Sequence, residues 1–303
     1  MINFLFHLLL LFGLSPLLPG VIARTKAIIA GRQGQPLTQL YRDLWKLFRK
    51  DLVLSRTTTW IFRAGPLVGI TVPVLGALLL PFGPTAAPIS FTGDFILYVY
   101  LFGLARFFTI LAALDTGSSF EGMGAAREAT FSILVEPTIF VAFIILVRVS
   151  GNFSLNGMFG AVSSGQLLQA PMAFSLILTA FCLFIVLLAE NCRIPFDDPN
   201  THLELTMIHE VMVLDHSGPD FGLILYGAAM KLLLSGALVL NLLLPASNNL
   251  LVDVLAFCGG LLLLAVAVGL VESAMARLRL IRVPQLLIGT TLLSFFGLIL
   301  LLR

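Results

Sequence analysis

Apolar runs alternate with short polar gaps along this whole chain. Eight runs stand out, at about residues 2–23, 65–82, 92–113, 130–149, 171–190, 221–244, 251–272 and 283–302. A helix needs ~20 residues, at 1.5 Å each, to cross ~30 Å of hydrocarbon, and each run is close to that length. The pattern predicts an all-α polytopic membrane protein of about eight transmembrane helices. It forms a single integral membrane domain over residues 1–303.

The basic residues fall in alternate gaps. The gap 24–63 carries nine of them: Arg24, Lys26, Arg32, Arg42, Lys46, Arg49, Lys50, Arg56 and Arg63. Arg127 lies in the gap 114–129, Arg193 in 191–220, and Arg277, Arg279 and Arg282 in 273–282, whereas 83–91, 150–170 and 245–250 carry none. By the positive-inside rule the basic gaps are cytoplasmic loops and both termini lie outside, which an even number of spans requires. The expected location is the cytoplasmic (inner) membrane. Arg24 and Lys26 follow the first apolar run instead of preceding it, so that run reads as a retained helix and not a signal peptide.

Composition agrees. The chain is 58% hydrophobic and 11% charged, with a mean hydropathy of +1.02. The two longest polar stretches, of about 40 and 30 residues, are too short to bury cores of their own. Net charge is only +2, and the basic excess sits in the inside gaps, so it sets topology and implies no nucleic acid.

Within the first inside gap, residues 37–54 place Leu40, Leu44, Leu47, Phe48 and Leu54 at helical spacing, with basic residues opposite. That predicts an amphipathic helix on the membrane surface, after a turn at Gly34 and Pro36. With the other inside gaps it forms a platform on which Arg32, Arg42, Lys46, Arg49, Arg127, Arg193 and Asp215 are the candidate docking residues. The gap 191–220 is the most polar, with Asp197, Asp198, Glu204, Glu210, Asp215 and Asp220 among apolar residues that suggest one or two packed helices. His202, His209 and His216 recur every seven residues. On one helix they would share a face ~10 Å apart, which suits interfacial hydrogen bonds better than a metal. Cys182, Cys192 and Cys258 are scattered and form no C-x-x-C pair. No phosphate loop, nucleophile elbow or zinc-protease motif occurs. The expectation is a non-catalytic chain holding neither cofactor nor metal.

Ionisable residues inside spans face a bundle interior or a wet cavity. Arg106, Glu136 and Lys231 lie ~12, ~10 and ~15 Å from the inner surface, and Glu190 and Glu272 cap the inner ends of the fifth and seventh spans. Arg148, Asp94 and Asp253 are placed to reach the outer interface. The result is a polar chamber entered from one side, whereas a pore would need polar lining on both. Pro137 follows Glu136 and strips the carbonyl of Ile133 of its helical partner. Two readings stay open: Glu136 serves ion coupling, or it pairs with Arg106 or Lys231 to hold helices together. The coupling candidates are Glu136, Arg106, Lys231, Glu190, Asp197, Glu204, Glu210 and Glu272.

Four stretches converge on one family. GRQGQP and YRDLWKLFRKD within 31–51, LDTGSSFEGMGAAREATFSILVEP at 114–137, AENCRIPFDDP at 189–199 with DHSG at 215–218, and VESAMARLRL at 271–280 together resemble the membrane subunit that anchors the peripheral arm of respiratory complex I. The LDTGS and MARLRL wording is more similar to its homologue in group 4 membrane-bound nickel–iron hydrogenases, of the formate hydrogenlyase type. The resemblance implies an eight-helix scaffold gripping soluble hydrogenase-like large and small iron–sulfur subunits. The nickel–iron and iron–sulfur centres would sit on those partners, and antiporter-like membrane subunits would move protons or sodium. Glu136 matches the carboxylate before proline in the fourth helix, Arg127 the arginine of the second loop, and Asp197 the aspartate of R-x-P-F-D. Where complex I relatives carry glutamates after that motif, this chain has Asn200 and His202, keeping an acid at Glu204. The rival classes are a stand-alone secondary transporter, which would need repeats that the two halves do not show, and a purely structural anchor.

Topology is directly testable. Single cysteines introduced at Gln35 and Gly160 should label from opposite sides of the membrane, and equal labelling of both by an impermeant reagent in intact cells would overturn the assignment.

Overall fold

The computed structural model describes residues 2–163, 172–197, 207–247 and 249–302. Among them, eight helical segments are long and apolar enough to cross a membrane. The first is bent: α1 (Ile2–Leu14) and α2 (Leu17–Ile29) are separated at Ser15 and Pro16. Pro16 has no N–H to continue the ladder and its ring crowds the preceding turn, so the break falls there. The crossing ends at Ile29 and not near residue 23, which puts Arg24 and Lys26 on the helix itself. Lys26 reaches Glu272 on α10 (Leu250–Ala274) at 2.8 Å, and this pair ties the first crossing to the seventh.

The surface helix expected over 37–54 forms as the shorter α3 (Gln39–Leu47). Leu44 is its buried anchor, while Arg42, Lys46 and Arg49 stay exposed. After Lys50 the chain runs without helix into α4 (Trp60–Leu79) because side chains from elsewhere take its backbone groups. Val53 N–H donates to Ser217 Oγ at 3.0 Å, and Thr59 N–H donates to Asp115 at 2.6 Å.

The largest departure from expectation concerns the gap 114–129. Only Thr116–Ser118 separate α5 (Asp94–Asp115) from α6, which runs unbroken from Ser119 to Ser150. Those 32 residues make a helix ~48 Å long, which projects well beyond a ~30 Å hydrocarbon layer. The polar SSFEGMGAARE segment reads as loop because its acids and arginine look solvated, yet they are consumed by packing. Glu121 accepts from Asp215 N–H at 3.2 Å, and Arg127 donates to the Met207 carbonyl at 2.8 Å. Gly124 lets the 207–212 segment lie directly on the helix, since a Cβ there would meet the Ile208 carbonyl at 2.9 Å. Gly151, at φ +68°, ends α6 in the left-handed conformation that glycine adopts without penalty.

A short helix, α7 (Leu155–Ser163), follows at the opposite end of the bundle. Asp94, placed by its position to reach the outer interface, is fully buried within the chain and accepts the Leu155 N–H at 2.7 Å. It fixes the start of α7 against the start of α5. Then come α8 (Met172–Glu190), a 3-10 turn at Glu210–Val213, α9 (Gly218–Leu243), α10 and α11 (Arg282–Leu302). The most enclosed crossing is α9, which packs against α4, α8 and α10, while α6 packs against α5, α8 and α11. One large apolar core joins these helices, and a smaller cluster of Ala113, Ala125, Met207, Val211 and Met212 sits under the polar loops.

The histidine register does not survive as a helix face. His209 precedes the 3-10 turn and His216 follows it in a loop, stacked on Phe62 at 3.9 Å. Burial there lowers the His216 pKa to about 4, leaving its ring neutral at pH 7. Side chain–backbone bonds shape this loop in place of helical ones: Asp197 accepts from the N–H groups of Ile208 at 2.9 Å and His209 at 3.3 Å. Asp198, His202 and Glu204 lie outside the described residues.

Candidate functional site

Four crossings contribute one charge cluster. Arg106 on α5 is the centre, with its side chain only 9% exposed. Its guanidinium contacts Glu136 on α6 at 2.8 Å, Glu190 at the end of α8, and Glu128 on α6 more loosely at 3.7 Å. Glu190 is shared: its second oxygen takes Lys231 of α9 at 2.7 Å. The chain Glu136–Arg106–Glu190–Lys231 therefore links α6, α5, α8 and α9 across the interior of the bundle. Three carboxylates face two cations, so one negative charge is left over. Such a site holds an extra proton or a small cation at modest electrostatic cost.

The geometry identifies the ion-pair partners. Glu136 pairs with Arg106 and not with Lys231, while Glu190, a coupling candidate placed at the inner end of its span, bridges both cations. Sequence reasoning misses Glu128 because the gap 114–129 reads as loop; once α6 is continuous, it enters the cluster.

Two small cavities touch the cluster. One of about 50 Å³ lies along Tyr98, Arg106, Glu136, Glu190, Lys231 and Ser235. The other, of about 20 Å³, is bounded by Glu128, Glu190, Cys192, Asp197 and Ile208. Each has room for water, and Glu190 lines both. Polar groups thus follow one another from the loops into the bundle. Deeper along α9, residues Gly236 to Leu240 are small or aliphatic and all buried, so the polar lining stops. The Glu136 side chain is 42% exposed on the flank of the chain.

The remaining candidates have other surroundings. Glu272 is fully buried between Lys26 at 2.8 Å and Arg193 at 3.6 Å, away from Arg106. Asp197 bonds the loop backbone and pairs with Arg277 at 2.8 Å, tying the third polar loop to the fourth. Glu210 opens the 3-10 turn and is partly exposed. Of the docking candidates, Arg32, Arg42, Lys46, Arg49 and Asp215 are exposed, whereas Arg127 and Arg193 are engaged within the chain. The Arg49 guanidinium lies 5.8 Å from the ring centre of Trp45, which is itself 69% exposed.

These features define a class: a multi-spanning membrane protein with a buried ion-pair cluster toward one end and polar loops above it. The NADH dehydrogenase family profile matches residues 2–302, and the chain belongs to that family. It is 32% identical to formate hydrogenlyase subunit 4 of Escherichia coli (strain K12), over 97% of each chain. It is 33% identical to hydrogenase-4 component C of the same organism, over 78% of this chain and 73% of that one. A chain in the structure of the membrane-bound sulfane sulfur reductase (MBS), an archaeal respiratory membrane complex, shares the fold. It superposes with a TM-score of 0.81, over 99% of this chain and 100% of that one, at 22% identity.

The cluster makes a stability prediction. Glu190→Gln removes the carboxylate common to Arg106 and Lys231 and leaves a buried cation short of its partner, a loss of about 3–5 kcal/mol. It should lower the melting temperature of the detergent-solubilised protein markedly. Glu136→Gln, at the exposed flank, should lower it far less. Equal shifts for the two would show that Glu190 is not the hub.

Proposed function

We propose that this chain is the membrane subunit of an energy-converting oxidoreductase complex of hydrogenase-like or complex I-like type. In this reading it docks a soluble redox module and helps couple electron transfer to proton or sodium movement. The observation that carries the proposal is the cluster on Arg106: three acids from two crossings, with Lys231, on cavities that lead from the polar loops into the bundle. A purely structural anchor has no need for a surplus carboxylate there.

The full-length match to formate hydrogenlyase subunit 4 supports partners of the same kind: soluble hydrogenase-like large and small iron–sulfur subunits, and antiporter-like membrane subunits. The chain's three cysteines are all unpaired. An iron–sulfur cluster takes four protein ligands, commonly all cysteine, so the nickel–iron and iron–sulfur centres belong on those partners. The basic loops face the cytoplasm by the positive-inside rule, and both termini lie outside. The exposed Arg42, Lys46 and Arg49 of α3, beside Trp45, then offer the charged rim and aromatic anchor that protein interfaces favour. Redox chemistry above the platform acts on the cluster below by changing the local field or water access. Glu136, open on the flank, can pass the change to a neighbouring membrane subunit.

Two experiments test this. Glu136→Gln keeps shape and most hydrogen bonding but removes the titrating proton. The assembled variant should transfer electrons in detergent yet lose redox-driven ion translocation in sealed vesicles. Wild-type translocation by it would exclude the coupling role. Reversing Arg42 and Arg49 to Glu should release the soluble subunits while this chain stays in the membrane. An intact complex after both reversals makes α3 a lipid anchor, and a chain that purifies alone in native detergent favours a transporter.

A further inference from the structure

A second constellation lies at the loop end of the charge cluster, in residues that the sequence keeps far apart. Glu128 of α6, Cys192 just after α8 and His209 just before the 3-10 turn bring a carboxylate oxygen, a thiol sulfur and a ring nitrogen within 4.8 Å of one another. All three side chains are poorly satisfied among the described residues. His209 Nδ1 is buried without a hydrogen-bond partner. The Glu128 carboxylate touches Arg106 loosely, at 3.7 Å. Cys192 is a free thiol. Its backbone is held at φ +50°, a conformation that a residue with a Cβ seldom adopts.

We infer that Glu128, Cys192 and His209 form a binding site for one divalent cation of the zinc class, at the mouth of the cavity that leads to Glu190. The donor set is the argument. One sulfur, one imidazole nitrogen and one carboxylate oxygen suit Zn²⁺, whereas Mg²⁺ and Ca²⁺ require oxygen shells. Tetrahedral zinc with bonds of about 2.0–2.3 Å separates its ligand atoms by about 3.3–3.8 Å. The three atoms lie within 4.8 Å of one another, so a contraction of at most about 1.5 Å reaches that spacing. The fourth position opens on the 20 Å³ cavity, which has room for a water. On binding, the thiol gives up its proton to solvent. The thiolate and carboxylate then cancel the two charges of the ion. Since Glu128 is already ionised beside Arg106, binding changes the site by one positive charge and neutralises the surplus carboxylate of the cluster. All three residues keep some solvent exposure, which gives the ion a way in.

This site shares Glu128 with the coupling cluster and adds Cys192 and His209, which the cluster does not contain. Zinc seated on Glu128 draws it from Arg106 and blocks the small cavity shared by Glu190, Cys192 and Asp197. The ion is thus a brake on access to the cluster, and not a redox centre. That consequence rests on the coupling reading; the binding itself does not.

The test uses the full-length chain in nanodiscs with Zn²⁺ as the probe. Zinc is added, excess is removed, and the bound metal is counted and examined by X-ray absorption at the zinc edge. The expected result is one equivalent with one sulfur scatterer at about 2.3 Å and lighter scatterers at about 2.0 Å. Cys192→Ser, nearly isosteric, should weaken binding by more than about tenfold, and His209→Gln should do the same. Cys182→Ser, whose thiol sits against the Thr290 carbonyl, should leave binding unchanged. A spectrum without sulfur, or wild-type zinc binding by Cys192→Ser, overturns the site. In vesicles of the assembled complex, zinc should slow translocation by the wild type and not by Cys192→Ser. Equal slowing of both, with binding still lost in the variant, overturns the brake and leaves the site standing.

Discussion

The constraint on which the structure turns is that Arg106 cannot stand alone inside the bundle. Stripping a guanidinium of water costs several kcal/mol, which only close, well-oriented anions offset. Glu136 and Glu190 supply them, and Glu190 in turn needs its own position defended by Lys231. Satisfying one buried charge thus fixes the mutual placement of α5, α6, α8 and α9. Helices in lipid gain little from apolar contact with each other, because the lipid is equally apolar. Close packing and polar contacts between helices set register there, and the Arg106 cluster adds four such polar ties to the packed core.

The same logic operates in the loops, where backbone groups take the place of charges. The polar segments between crossings carry many N–H and C=O groups, and each buried one requires a partner. Asp115, Glu121, Asp197 and Arg127 each reach out of a helix or loop end to bond the backbone of another segment. Ser217 exchanges bonds with Val53 in both directions. Leu278 N–H donates to the Pro195 carbonyl at 3.0 Å, closing the fourth loop onto the third. Among the described residues, these bonds cross-link the polar loops to one another and to the helix ends.

Much of this is legible in the residues. Long apolar runs report crossings whatever their partners, because the hydrocarbon layer sets their length. Charges inside such runs announce themselves for the same reason, and Arg106, Glu136 and Lys231 stand out that way. What periodicity and hydropathy do not reveal are features that depend on tertiary partners. The helical state of 119–129 depends on the 207–215 segment lying against Gly124, and local polarity argues the other way. Glu128 stays hidden with it. Glu190 looks like a terminal cap when its depth is judged along one helix, whereas its role comes from two others. Position alone puts Asp94 at the interface, and its burial follows from α7 folding back over it. The histidine spacing of seven misleads because a 3-10 turn carries no such face.

The distribution of polar groups along the bundle axis also constrains mechanism. At the far end, Asp94, Asp253 and Asn241 are engaged by backbone: Asp253 accepts the Ser247 N–H, and Asn241 bonds Gly83 and Pro81. Between Asn241 and Ser235 on α9 every residue is apolar and buried. An ion entering at the polar loops therefore meets a dry layer beyond Lys231, with ~9 Å of helix between Ser235 and Asn241. Carrying a charge across such a layer is costly, so among the described residues α9 offers no polar step between Ser235 and Asn241. The one ionisable group of the cluster that opens sideways is Glu136, at the flank of α6. On the coupling reading proposed above, the buried apolar stretch of α9 on one side and the exposed Glu136 on the other make that flank the open side of the cluster.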